Sequence, residues 1–298
     1  MKTQSTSLGN PEVESFFDPN TNTISHVVID RSTNKVAVID SVLDYEASSA
    51  QISYESSQKI IDFIQLNNFQ VEWIIETHAH ADHLSAAVYI QEKLGGKLAI
   101  NSNIKTVQDV FGKVFNFGTE YAKDASQFDH LFEDEEEFKI GNLNAKVIHT
   151  PGHTPADSTI LVEDAAFVGD TLFMPDFGTA RCDFPGGSAE KLYQSIQKIF
   201  SLPANTRLFL CHDYLTKNRN EYKWETTVAE QKKHNIHVGQ EKSKDQFVKM
   251  RSQRDKTLSM PKLIIPSIQI NINAGKLPKA EKNQTQYLKI PINKFNQL

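Results

Sequence analysis

The sequence predicts a layered α+β sandwich, two β-sheets face to face with helices outside. Two observations carry this expectation. Strand and helix patterns alternate through the first half of the chain and again through its middle, and in both halves strands end at histidine-bearing loops.

In chain order, residues 26–30 and 35–41 are β-branched runs around a turn-like 31–34, which reads as a hairpin. Residues 56–66 place Ile60, Ile61, Phe63 and Ile64 largely on one helical face. A short apolar strand over 71–76 runs directly into Thr77-His78, and a helix is expected over 84–94, ended by Gly95-Gly96. Residues 97–100 read as the next strand. The second cycle holds strands over 145–149, 159–162 and 165–168, a helix over 188–200 with Ser188 as its N-cap, and a strand over 207–211. Residues 224–234 and 244–258 look helical, and beyond Met260 the chain is rich in Pro, Asn and Lys. The expectation is a single domain over 1–298, with 224–298 as its helical and irregular C-terminal extension. The acidic run 133–137 reads as a solvated turn.

Composition narrows the classes. Hydrophobic residues make up 39% and charged residues 23% of 298, the mix of a globular protein with a real core. The net charge of −5 gives no nucleic-acid footprint. Two cysteines, Cys182 and Cys211, are too few for a disulfide scaffold and suit a reducing compartment. No apolar run is long enough for a membrane helix. Residues 1–20 lack the apolar core of a secretory signal, so the cytoplasm is the expected location.

The strongest signal is Thr77-His78-Ala79-His80-Ala81-Asp82-His83, three imidazoles and a carboxylate just after a strand end. A loop can turn His78 and His80 to one point, while Asp82 and His83, at the expected start of the next helix, reach a second point nearby. Imidazole with carboxylate suits zinc, iron or manganese. A polar loop with clustered histidines is the bland alternative, and ten histidines in 298 residues make three in six positions improbable by chance. Three downstream elements weaken it further. His153 lies in the rigid turn Thr150-Pro151-Gly152-His153, Asp170 follows Val168-Gly169, and His212 follows Cys211, each at a strand end.

His-x-His-x-Asp-His, a Pro-Gly-His turn, a Gly-Asp and a late His together resemble the metallo-β-lactamase superfamily. That resemblance implies a four-layer αβ/βα sandwich with the metal at its edge. Within the superfamily, Ala81 stands where glyoxalase II enzymes carry an aromatic residue. Thr77-His78-x-His80-Ala81-Asp82-His83, His212-Asp213-Tyr214 and Arg181-x-Asp183-Phe184 instead resemble persulfide dioxygenases. The strings 178–187 and 126–132 are similar to the bacterial β-lactamase-like hydrolases associated with sulfide detoxification.

The resemblance implies one Fe(II) held by His78, His153 and Asp170, the two-histidine, one-carboxylate set of non-haem oxygenases. His80, Asp82, His83 and His212 are then either groups that orient those ligands or holders of a second metal. The implied reaction converts glutathione persulfide, dioxygen and water to glutathione and sulfite. Arg181 is expected to meet a glutathione carboxylate or to pair with Asp183 or Asp176. Tyr214 is expected to hydrogen-bond the substrate or to pack in the core. Cys182 is expected to be a buried inert thiol rather than a sulfur acceptor. His130, His149, His234 and His237 have no partner motif and read as surface or satisfied core histidines.

The main rival is a glyoxalase II-like thioesterase with one or two Zn(II) ions. A lactonase or small-ester hydrolase, and a non-catalytic metal or persulfide sensor, stand behind it. The expected partners are a small thiol persulfide and dioxygen, with no nucleic acid and no membrane, and a homo-oligomer is the expected assembly.

Overall fold

The computed structural model describes residues 4–7, 10–118 and 121–295. In the first half, β1 (Gln4–Ser7), β2 (Glu12–Asp18), β3 (Thr23–Asp30) and β4 (Lys35–Ile39) form a meander, followed by β5 (Val42–Glu46) and β6 (Gln51–Ser53). Then come α1 (Glu55–Leu66), β7 (Gln70–Ile75), β8 (Leu84–Ser85), α2 (Ala87–Leu94), β9 (Lys97–Asn101), α3 (Ile104–Val114) and β10 (His130–Phe132). The second half runs β11 (Glu137–Ile140), β12 (Leu143–His149), β13 (Ser158–Val162), β14 (Ala165–Phe167), α4 (Ala189–Phe200), β15 (Arg207–Phe209) and β16 (Glu225–Thr227). The chain ends with α5 (Val228–His234), α6 (Lys244–Asp255) and α7 (Ile264–Asn271).

One sheet has the order β1-β2-β3-β4-β7-β9-β10 and the other β11-β12-β13-β14-β15-β16, with β6-β5-β8 as a small third sheet. Between the two large sheets lies an apolar seam of Val28, Ile39, Ile75, Val147, Ile160 and Phe209. The outer face of the first sheet packs on α1, α2, α3 and α7 through Ile60, Ile90, Phe111 and Ile268. The second sheet's outer face packs on α4, α5 and α6 through Leu192, Val228 and Phe247. This is the expected four-layer αβ/βα sandwich. β3 is buried along its whole length because both its faces meet other layers, and its polar members are held by hydrogen bonds, Ser25 to the Asp40 carbonyl and His26 to the Leu210 carbonyl.

Several boundaries differ from the sequence expectation for identifiable reasons. Residues 84–85 are not helical: they pair with Val42 and Leu43, and the Ser85 amide donates to Asn271 Oδ1 at 2.8 Å. Asp82 and His83 therefore sit in a bent loop rather than at a helix start. Residues 225–227 complete the edge of the second sheet against β15, so the helix expected from 224 begins at Val228. The helix expected over 244–258 stops at Asp255; its start is fixed by a reciprocal cap between Ser243 and Gln246. Ser188 caps α4 as expected, accepting from the Lys191 amide at 3.3 Å. The Pro- and Asn-rich tail contains α7, which tolerates Pro266 because it falls in the first turn, where no intrahelical amide bond is lost. None of the helices among the described residues is long and apolar enough to cross a membrane.

Candidate metal centre

Parallel strands β4 and β7 end side by side, so Asp40 and Thr77 leave the sheet together. Asp40 accepts from the Thr77 amide (2.7 Å), the Thr77 hydroxyl (2.8 Å) and His80 Nε2 (2.9 Å). Glu76 adds a second carboxylate 3.2 Å from His80 Nε2 and is itself held by the Ser85 hydroxyl at 2.7 Å. The loop leaving β7 is thus folded around a buried carboxylate pair.

The other histidines are anchored the opposite way round. His78 Nδ1 lies 3.0 Å from Thr77 Oγ1, His83 Nδ1 3.2 Å from the Leu84 carbonyl, His153 Nδ1 2.8 Å from the Arg181 carbonyl and His212 Nδ1 3.2 Å from the Asn22 carbonyl. Engaging Nδ1 leaves Nε2 to face the centre, the arrangement by which outer hydrogen bonds fix the tautomer and aim of metal-binding imidazoles. Gly169 permits the close approach of the Asp170 strand end. Its φ is +49°, and a Cβ there would lie 2.7 Å from Thr77 Oγ1.

Asp170 joins two groups. Its Oδ2 is 3.6 Å from His153 Nε2 and 3.9 Å from His78 Nε2, while its Oδ1 is 3.4 Å from His212 Nε2, which in turn is 3.0 Å from Asp82 Oδ2. Ligand atoms about 2.0–2.2 Å from one ion stand roughly 3–3.6 Å apart in tetrahedral geometry, so both groups have nearly the spacing of a metal's ligands. His78 Nε2, His83 Nε2, His212 Nε2, His80 Nδ1 and Asp170 Oδ1 are buried without a hydrogen-bond partner. Such orphaned atoms are rare and costly, and they fall within the donor groups His78–His153–Asp170, Asp82–Asp170–His212 and His80–His83–Cys211–His212, in each of which the ligand atoms lie within 4.8 Å of one another. Burial first, and the imidazoles around them second, hold His78 well below the ordinary histidine range and push His83 down to about 3. That keeps these two rings unprotonated, as metal binding requires, whereas at His153 and His80 burial is outweighed by the carboxylates Asp170 and Asp40 respectively, which raise them. Burial raises Asp170, more than His212 and His153 lower it.

The pattern of the metallo-β-lactamase superfamily matches residues 21–212, which contain every one of these donors. The chain belongs to that superfamily. A protein of Burkholderia pseudomallei named "Probable metallo-hydrolase" is 49% identical over 94% of this chain and 98% of its own length. "Glyoxylase B2" of Dictyostelium discoideum is 46% identical over 96% and 98%. The mitochondrial persulfide dioxygenase ETHE1 of Bos taurus is 28% identical over 71% of this chain and 72% of its own. The crystal structure of ETHE1 from Myxococcus xanthus superimposes with a TM-score of 0.70 at 26% identity, covering 89% of this chain and 99% of that one.

The superfamily site opens into a cavity of about 940 Å³, with His153, Asp170 and Asp82 at its inner end. Tyr214, half-buried, lines it beside Phe173 and Phe177, its ring stacked 5.9 Å from that of His212. Burial, then Asp82 and Asp170, push the Tyr214 hydroxyl well above the usual phenol range, so it stays protonated. Arg181 also lines the cavity, but its fork is closed on Asp183 at 2.5 and 2.6 Å, with the Ser259 carbonyl taking a third donor. Asp176 pairs instead with Arg219, which also clamps Asp213 behind the 211–214 turn. Cys182 and Cys211 are both free and buried, and burial raises both thiols. His130 pairs with Glu136, and His149 bonds the Phe132 carbonyl.

Four supporting residues escape a motif search. Asp40 and Glu76 carry a weak signal, a carboxylate at the end of an apolar strand. Asn271 and Asp255 carry none. Asp255 accepts from Arg251 (2.8 Å) and from the Cys182 amide (2.9 Å), fixing the segment whose Arg181 carbonyl aims His153. Only tertiary folding brings them to the site.

Proposed function

We propose that the chain is a persulfide dioxygenase that uses one Fe(II) held by His78, His153 and Asp170 to convert glutathione persulfide, dioxygen and water to glutathione and sulfite. The observation that supports this reading is the composition of the inner donor cluster. His78, His153 and Asp170 offer ligand atoms all within 4.8 Å of one another, and His80 does not belong to that set among the described residues. Two histidines and one carboxylate leave half of an octahedron open, the arrangement that non-haem Fe(II) oxygenases use. Bound there, Fe(II) would supply the redox chemistry of dioxygen activation, and the protein the positioning.

The residues around the cavity do the rest. Phe173, Phe177 and Tyr214 keep the inner end largely apolar, so a persulfide sulfur reaching Asp170 and His153 meets little competing water. Tyr214 donates a hydrogen bond to the substrate there. Arg181 faces the same space, yet Asp183 already occupies its fork. Arg254 and Lys262, which line the outer wall without an ion pair among the described residues, are the cations open to a glutathione carboxylate.

A second reading is a dinuclear zinc thioesterase or hydrolase. It is favoured by the group of Asp82, Asp170 and His212 on the other side of Asp170, and by the names of the relatives at 46% and 49% identity. Anaerobic loading with Fe(II) or Zn(II), followed by oxygen uptake on adding glutathione persulfide, separates the two. Uptake and sulfite with iron alone are the expected result. No uptake with either metal, together with zinc-dependent hydrolysis of a glutathione thioester, would overturn the dioxygenase and leave the site standing.

A further inference from the structure

We infer that Asn271, at the end of α7, is a positioning residue of the metal centre, and that the C-terminal extension thereby shapes the site from 188 to 191 residues downstream. Its amide Nδ2 donates to the carbonyls of both His80 and His83 at 2.8 Å, and its Oδ1 accepts from the Ser85 amide at 2.8 Å. One side chain, 5% exposed, therefore satisfies three backbone groups of the metal-binding loop.

The geometry gives this contact a specific consequence. Drawing the carbonyls of residues 80 and 83 to a single donor closes a turn around Ala81-Asp82. Within that turn the Asp82 carboxylate reaches to 3.0 Å from His212 Nε2, and His83 turns its Nδ1 to the Leu84 carbonyl with Nε2 inward. The same contact holds Ser85 extended, where its hydroxyl donates to Glu76 and so braces His80. The loop cannot supply these bonds itself, because residues 82–85 are not helical. A neighbour on the same helix shows the contrast. Gln269, 4% exposed, spends its amide on the Ile265 and Lys289 carbonyls and the Lys289 amide, all within the extension.

The inference rests on the metal-site reading above, and the test separates the two. Zn(II) affinity would be measured by competition with a chromophoric chelator, and the Co(II)-loaded protein followed by its visible absorption, for the wild type and for Asn271→Leu, Asn271→Asp and Gln269→Leu. Asn271→Leu is expected to weaken metal binding about 10–100-fold, as loss of groups that hold metal ligands does, and to shift the Co(II) bands. Asn271→Asp keeps the size and the acceptor for Ser85 but faces two carbonyls with oxygen, so it is expected to show the same loss. It decides the question alone if the leucine variant does not fold. Gln269→Leu is expected to lower Tm while leaving affinity and spectrum unchanged. Wild-type affinity and spectrum in both Asn271 variants would overturn the inference, as would an equal loss in Gln269→Leu. A wild-type protein that binds neither metal would overturn the site reading itself.

Discussion

The two oxygens of Asp170 face different neighbourhoods. The Oδ2 side gathers His78 and His153, with spacings of 3.9 and 3.6 Å, and is braced by Thr77 and the Arg181 carbonyl. The Oδ1 side gathers His212 and Asp82 more tightly, at 3.4 and 3.0 Å along the chain of contacts, and is braced by the Asn22 carbonyl. Both sides are built with the same care for ring orientation. The difference teaches that the ligands alone do not select the reaction: one carboxylate can close a triad around one ion or bridge two. On the proposed reading, occupancy of the Oδ1 side is what would divide a dioxygenase from a hydrolase.

The largest effect should come from Asp170 itself, the member common to both sides. Asp170→Ala is expected to reduce metal affinity by roughly 100-fold or more and to abolish activity with either metal, since even outer partners of metal ligands cost about 10–100-fold. Metal content after gel filtration, by atomic absorption, checks it. Full metal retention would break the comparison at its root. The next variant tests the sides separately. His212→Ala is expected to keep one bound metal per chain and part of its oxygen uptake, while His78→Ala loses both. If His212→Ala instead drops from two equivalents to one and loses a thioesterase activity, the Oδ1 side holds a working ion.

How much of this was legible beforehand differs between ligands and supports. The four strand ends that carry His78, His153, Asp170 and His212 were readable because a dense cluster of imidazoles is rare in a globular chain, and the alternation of strand and helix foretold the layers. The local geometry of residues 82–85 was not, because Leu84-Ser85 are drawn into a strand by β5 and by Asn271, neither of which leaves a trace in local periodicity. The same holds for α7, which buries polar Ser267, Gln269 and Asn271 along with Ile264, Ile268 and Ile270 and so lacks the 3.6-residue pattern of a surface helix. For Arg181 the sequence left a substrate carboxylate and an ion pair with Asp183 or Asp176 side by side, and only the side-chain conformation decides for Asp183.

A smaller effect is expected at Asp40, which serves the centre without touching the cavity. Burial pushes its carboxyl up, but His80 and the Thr77 donors hold it below the usual range, so it is a charged acceptor. Asp40→Asn is expected to weaken metal binding about 10-fold, at the low end for an outer partner, because Glu76 remains within 3.2 Å of His80. If the loss equals that of Asp170→Ala, His80 is a ligand in its own right and the triad reading of the Oδ2 side is too narrow.

The smallest effect is a matter of pH, and it probes the bracing behind each side. His26 stands behind the Oδ1 side, its Nε2 donating to the Leu210 carbonyl at 3.1 Å, two residues before His212. His237 stands behind the Oδ2 side, its Nδ1 accepting from the Thr179 amide at 3.0 Å, two residues before Arg181. Burial lowers His26 to about 4 and, with Arg251 adding to it, lowers His237 to about 3. Below pH 6.5 the unfolded chain binds a proton at each ring that the folded protein refuses, so stability present above that pH falls as pH drops toward the folded values. Each histidine contributes a slope of up to about 1.4 kcal/mol per pH unit in that window. Urea unfolding between pH 7 and 4.5 is expected to show the decline, and His237→Gln, which keeps an acceptor but cannot titrate, is expected to remove about half of the part due to this pair. An unchanged slope in that variant would mean that the Thr179–Arg181 segment yields before His237 does, leaving the Oδ2 side the looser of the two.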